Sequence, residues 1–204
     1  MKRIILLIFG LATIVANAQE KEGGIMAEFS FGSMRYGNYP AVSAFSDSTS
    51  AYGMIPAMQL SVGYRFEDNW FLGVSAKYDG GNSSFRDLDE KFANLGVLID
   101  VRHYFKLSKS LELEFGAAAG LLVHKNTFRH LDQEHTVLRL GFGGRLFTGI
   151  NYEIRQNHYI GIKATLYHVG VLSDVREGIP VELNANTGSG IFGHSLLFSY
   201  GVKF

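Results

Sequence analysis

From about residue 25 to the C-terminus, bulky apolar side chains alternate with small or polar ones at a period of two. That is the period of a β-strand, whose successive side chains point to opposite faces, and it excludes a helical fold for most of the chain. In the final segment Phe192, Leu196, Phe198, Tyr200, Val202 and Phe204 share one parity, while Gly193, Ser195, Ser199, Gly201 and Lys203 share the other. Leu111, Leu113, Phe115, Leu121 and Val123 oppose Glu112, Glu114, Gly116 and Gly120 in the same manner. So do Leu138, Leu140, Phe142, Leu146, Ile150 and Tyr152 against Arg139, Gly141, Gly143, Arg145, Asn151 and Glu153. Eight strands are predicted, at 25 to 34, 55 to 66, 70 to 79, 92 to 106, 111 to 124, 137 to 154, 159 to 172 and 191 to 204, separated by clusters of Asn, Asp, Ser and Gly. The connections at 67 to 69, 107 to 110 and 155 to 158 are tight, and those at 35 to 54, 80 to 91, 125 to 136 and 173 to 190 are long. One rim therefore carries short turns and the other four loops.

The placement of charge decides which kind of sheet this is. With the faces set by the apolar residues and strand-end lysines left aside, the acids Glu28, Asp79, Asp100, Glu112, Glu114 and Glu153 all fall on the opposite parity. The bases Arg65, Lys77, Arg102, Arg139, Arg145 and Lys163 join them, six against six. Twelve of fourteen strand glycines lie on the same charged face, with Gly144 and Gly170 as the exceptions. A soluble lipocalin-like barrel would show the reverse, apolar inside and charged outside. An apolar exterior is what lipid demands, since Arg or Lys at mid-bilayer costs about 2–4 kcal/mol on a barrel wall. The expected fold is all-β, an eight-stranded antiparallel up-and-down transmembrane β-barrel whose narrow lumen needs small residues beside its long charged ones. Short turns on one rim and long loops on the other are the asymmetry of such barrels, and an even strand count leaves both termini on the turn side.

Lys2 and Arg3, the apolar run Ile4 to Val15 and the small residues Ala16 and Ala18 read as a secretory signal peptide cleaved before Gln19. The expected organisation is 1–18 export segment and 19–204 barrel domain. The chain has no cysteine, so a disulfide framework, a thiolate metal site and a lipid-bearing N-terminal cysteine are all excluded. Its 19 basic and 19 acidic residues balance, which gives no footing for nucleic-acid binding.

The chain ends Tyr200-Gly201-Val202-Lys203-Phe204, with Tyr200, Val202 and Phe204 at every second position on the lipid-facing parity. This is similar to the assembly signal of Gram-negative outer-membrane proteins. Tyr64, Phe66, Trp70, Phe105 and Tyr152 cluster near the turn rim, as an interfacial aromatic girdle would. On these residues the chain resembles the small outer-membrane β-barrel family of the OmpA membrane-domain and OmpX type, over residues 25 to 204. The resemblance implies a place in the outer membrane of a Gram-negative bacterium with both termini periplasmic. It implies as partners outer-membrane lipids including lipopolysaccharide, and the barrel-assembly machinery during biogenesis.

Three features offer chemistry. The inward charges should pair, because isolated buried charges are prohibitively costly, and pairing makes a plug; a gated proton or ion path is the rival reading, and the sequence does not separate them. His168 and His194 lie on the lipid-facing parity of neighbouring strands, in roughly opposed register and roughly 25 Å above the turn rim at about 3.3 Å per residue and 40° of tilt. A lipid-A deacylase would need a serine and a carboxylate beside such a histidine. Gly170 stands two residues after His168, Ser195 points inward, and no outward acid is at hand, so both histidines read as interfacial anchors. His130 and His135 with Asp132 and Glu134 are a weak loop motif for a metal, and no cofactor is expected. Finally, the loop 35 to 54 carries Tyr36, Tyr39, Phe45 and Tyr52 among Ser, Gly and Ala, the composition of an adaptable binding surface. The expected role is non-enzymatic, structural or surface-interacting (adhesion or binding of an extracellular ligand through the loops). A lipid A-modifying enzyme and a small-conductance channel are the alternatives.

Overall fold

The structure is a computed structural model that describes residues 23–38, 54–66, 69–85, 88–130, 133–176, 179–181 and 191–204. The export segment and most of the loop 35 to 54 lie outside them. The strands are β1 (Gly24–Asn38), β2 (Ile55–Phe66), β3 (Trp70–Phe85), β4 (Leu88–Lys106), β5 (Leu111–His130), β6 (Gln133–Arg155), β7 (His158–Arg176), β8 (Ile179–Val181) and β9 (Ile191–Lys203). Each of β1 to β7 pairs antiparallel with the next, β7 pairs with β9, and β9 returns to β1. The sheet thus closes on itself as an eight-stranded antiparallel barrel with no free edge along the membrane-spanning wall. The short β8 is an addition, folded back on the Asp174–Arg176 end of β7.

Parity sorts the side chains as the alternation requires. Ile99 is 62% exposed and Leu146 64%, on a wall where Phe31, Leu60, Phe142 and Phe198 also stand outward. In water such an apolar surface would be a severe aggregation hazard; in a bilayer it is the solvated face. On the inward parity Arg65, Arg102, Glu114 and Asp100 are all 1% exposed or less.

Two lumen rings explain three of the inward glycines. Phe147 leans over Gly116, where a Cβ would overlap its ring, and Phe71 covers Gly63 and Gly73 in the same way. Gly116→Val should therefore overpack the lumen and cost about 1–3 kcal/mol, read as a lower urea midpoint for the folded band in a gel-shift titration.

The strand ends on the turn rim match expectation to within a residue, and on the loop rim so do the starts at Ile55 and Ile191, but the other loop-rim ends do not. Segments 80 to 91 and 125 to 136, expected as loops, are almost wholly strand, with only residues 86–87 and 131–132 between the described elements. Register runs unbroken from Gly73↔Asp100 to Phe85↔Leu88 and from Gly120↔Gly143 to His130↔Gln133. The physical reason is that the hydrogen-bond ladder does not depend on lipid. Above the bilayer the outward positions face water, so Asn82, Lys91 and Lys125 replace apolar residues and the apolar-polar signal fades while pairing persists. The segments 35 to 38 and 173 to 176 are strand for the same reason.

Candidate functional site

The inward charges gather first in a central cluster of three acids and three bases. Arg102, on β4, pairs with Glu28 at 3.0 Å, Asp100 at 2.8 Å and Glu114 at 3.2 Å. Lys163, on β7, bridges Glu28 at 2.6 Å and Glu114 at 2.8 Å. Arg145, on β6, takes Asp100 at 2.9 Å and donates to Ser75 at 3.1 Å and to the Gln59 side-chain oxygen. Asn151 donates to Glu114 at 2.8 Å and Ser61 to Asp100 at 3.3 Å. Phe147 lies beneath the cations, with Arg145 5.0 Å from its centroid. Charges this buried are tolerated because each has two or more partners of opposite sign or good hydrogen-bonding capacity.

Toward the turn rim, Arg65 forks onto both oxygens of Glu112 at 3.0 and 2.8 Å and stacks over Tyr104 at 4.1 Å. Toward the loop rim, Lys77 pairs with Asp79 at 2.7 Å and sits 3.6 Å over the Tyr167 ring. Asp79 also accepts from Tyr36 and from Asn94, and Asn94 meets His124 Nδ1. Among these upper polar residues, and reaching toward the loop rim, packs a buried apolar cluster that includes Met34, Ile55, Phe92, Leu122, Val169 and Ile191. The lumen hollow flanked by Gln59, Lys77, Arg145 and Tyr167 measures about 10 Å³, at the lower limit for a single water.

Several sequence expectations need correcting. Glu153 is inward by parity but only half-buried at the turn rim, where it accepts from the Asn157 backbone at 3.0 Å; a bulge between Glu153 and Arg155 turns the strand end there. Arg139 is buried opposite His124 in register, above the central cluster. Tyr36, expected in a binding loop, is a lumen residue, because β1 runs four residues further than predicted. His124, expected as a strand-end residue, is 1% exposed within the upper polar tier; its parity with Leu122 was the available signal. His168 and His194 are not opposed: His168 pairs with Phe192 and His194 with Leu166, so the imidazoles are diagonal. Their remaining lateral neighbours are Gly144 and Arg35. Among the described residues the outward carboxylate Glu134 stands ten residues further up β6 than Gly144. The side chains of His130, Asp132 and His135 lie outside the described residues.

At the turn rim Trp70 meets His103 edge to face at 4.5 Å between centroids, His103 lies tilted against Phe105 at 4.3 Å, and Tyr64 meets Phe66 at 4.7 Å. Tyr200 shares a 2.6 Å hydrogen bond with His158 Nδ1. Residues 4–204 match the outer membrane protein beta-barrel domain family. The chain belongs to that family. As an outer-membrane barrel it lies in the outer membrane of a Gram-negative bacterium. Among solved structures it is similar to Neisserial surface protein A, with a TM-score of 0.61 and 14% identity over 90% of this chain and 100% of that one. It is similar also to Ail, the attachment invasion locus protein of Yersinia pestis, with a TM-score of 0.56 and 14% identity over 90% and 99% of the two chains. A major outer membrane protein from Thermus thermophilus gives 0.57 at 10% identity, over 90% and 100%. At these identities the barrels share the fold. No curated protein matches the sequence.

Proposed function

We infer that this outer-membrane barrel is a non-enzymatic surface-interaction protein, whose plugged lumen serves as a rigid base for recognition on its extracellular side. The observation that carries the reading is strand length. β4, β5 and β6 run 19, 20 and 23 residues, about twice the 9–11 that cross a bilayer. The β3–β4 and β5–β6 hairpins therefore stand above the membrane as a paired sheet, and loops on rigid scaffolds are where recognition resides. That the described lumen is filled by ion pairs and buried apolar side chains argues against conduction. The outward histidines lack a neighbouring carboxylate among the described residues, which argues against acyl hydrolysis. The described residues begin at Gly23 and end at Phe204 on the short-turn rim, which this reading makes the periplasmic one. The neighbour named as an attachment protein supports an adhesive role by analogy.

The test replaces residues 82–90 and 127–136 with two-residue turns. Cells displaying the shortened barrel should lose binding to immobilised extracellular matrix while the barrel still migrates as a folded band in unheated gels. Unchanged binding would refute the hairpin reading. In planar bilayers the purified barrel should give no discrete conductance steps, and lipid A mass spectra should be the same with and without it. A reproducible step or a lost acyl chain would reinstate the channel or the enzyme.

A further inference from the structure

The outward wall formed by β5, β6, β7, β9 and β1 is not uniformly bulky. Register aligns Phe115, Thr148, Ala164, Leu196 and Ser33 in one lateral row, small at three of its five positions. The row above it brings Leu146, Leu166, His194 and Arg35 into line, and the row below it Ile150, Ile162 and Phe198. Small residues between two bulky banks leave a groove of about 600 Å³, within the range of small-ligand clefts, about 300–1,000 Å³. A second hollow of about 1000 Å³ continues it downward and shares Thr148, Ala164 and Leu196 with it. Because strands tilt about 40° in such barrels, a lateral row runs obliquely. Its Phe115 end is four residues from the turn-rim start of β5, and its Ser33 end nine residues from the start of β1.

The upper end of the groove is cationic. Arg35 and His194 are direct cross-strand partners, both exposed and both lining the hollow. Neither makes a side-chain hydrogen bond or ion pair among the described residues. His194 is ten residues up β9 from Phe204, about 25 Å above the turn rim at 3.3 Å per residue and 40° of tilt, the height of the apolar band. An arginine at that boundary presents a fork of N–H donors that matches a phosphate bidentately, and the imidazole beside it adds another donor.

We propose that this groove is a binding site for the phosphorylated, multiply acylated glycolipid of the outer leaflet, lipid A, with an acyl chain laid along Ser33, Ala164 and Thr148 and a phosphate held by Arg35 and His194. Charge complementarity at the mouth and an apolar floor beneath it select a lipid that is anionic at its head, and the height of the pair selects the outer leaflet. The proposal rests on the outer-membrane placement of the barrel and is independent of recognition by the hairpins.

The test titrates the purified barrel in detergent micelles with lipid A and counts adducts by native mass spectrometry. The intact protein should retain one lipid A. The double variant Arg35→Ala/His194→Ala should bind at least tenfold more weakly. Thr148→Trp, which fills the groove from its floor and keeps both cations, should do the same. Dephosphorylated lipid A should bind the intact protein no better than lipid A binds the double variant. Lys91→Ala removes an outward cation elsewhere on the wall and should leave retention unchanged. Equal affinity for dephosphorylated lipid A or for phosphatidylglycerol overturns the proposal, as does full retention by either groove variant or an equal loss in Lys91→Ala. Heat-shifted gel migration checks that each variant is folded. Loss of surface binding on shortening the hairpins, with lipid A retention unchanged, would keep the two readings apart.

Discussion

Replacing Arg102 with methionine is expected to destabilise the barrel by about 3–5 kcal/mol, the effect of removing one member of a fully buried ion cluster. Arg102 meets Glu28, Asp100 and Glu114 at once. Without it three carboxylates share only Lys163 and Arg145, in a site that admits almost no water. The loss is less the removal of an attraction than the stranding of negative charge in a medium that solvates it poorly. The check is a urea titration in lipid vesicles, followed by the fluorescence of the single tryptophan, Trp70, and by the heat-dependent gel shift. The double variant Arg102→Met/Glu114→Gln should recover a large part of the loss, because it rebalances the cluster. If the single variant is as stable as the parent, the cluster does not hold the barrel together.

The second large effect lies on the opposite face. Ile99 is 62% exposed and six residues up β4 from Phe105 of the aromatic girdle, which places it about 15 Å into an apolar band about 25 Å tall. Ile99→Arg should cost about 2–4 kcal/mol. Leu138→Arg, near the loop end of β6, should cost about 0–1 kcal/mol, since a long cation there reaches the head groups. The contrast between the two in the same vesicle titration measures where the hydrocarbon ends. Equal costs at the two sites would mean that the wall does not cross the bilayer as described.

Strand number, inward parity and the turn-rim ends of the strands could be read from the sequence because lipid imposes a strict alternation between Gly24 and Lys203 wherever the wall meets hydrocarbon. Ion-pair partners could not be read that way. Parity places Glu28, Arg102 and Lys163 in one lumen, yet only the staggered register brings residues separated by 74 and 135 positions within 3.0 and 2.8 Å. The loop-rim ends of the strands were obscured for the opposite reason. Around Asn82, Lys91 and Lys125 both faces are wet or mixed, so pairing continues where periodicity has stopped reporting it. The inward apolar cluster was hidden too: Leu122, Val169 and Ile191 share the parity of the charges and look anomalous until their mutual packing inside the lumen is seen. The Arg35–His194 pair is not legible in the sequence because the expected end of β1 at 34 falls four residues short of the strand's actual end at Asn38 and leaves Arg35 in a loop.

Glu28 stands on the first strand, one pairing away from the last, and its counter-charges come from the fourth and seventh strands. None of these bonds can form in a half-built sheet, because the partners face one another only across a completed lumen. A partly assembled wall would leave the Glu28 carboxylate without either of its cations, at the cost that an unpaired buried charge carries. The central cluster thus acts on the route as well as the endpoint: it makes zippering of the β1–β9 seam an all-or-none event. Once shut, opening that seam means giving up the Glu28 pairings with both Arg102 and Lys163 together, so the chain's ends are tied by ion pairs where it has no disulfide to tie them.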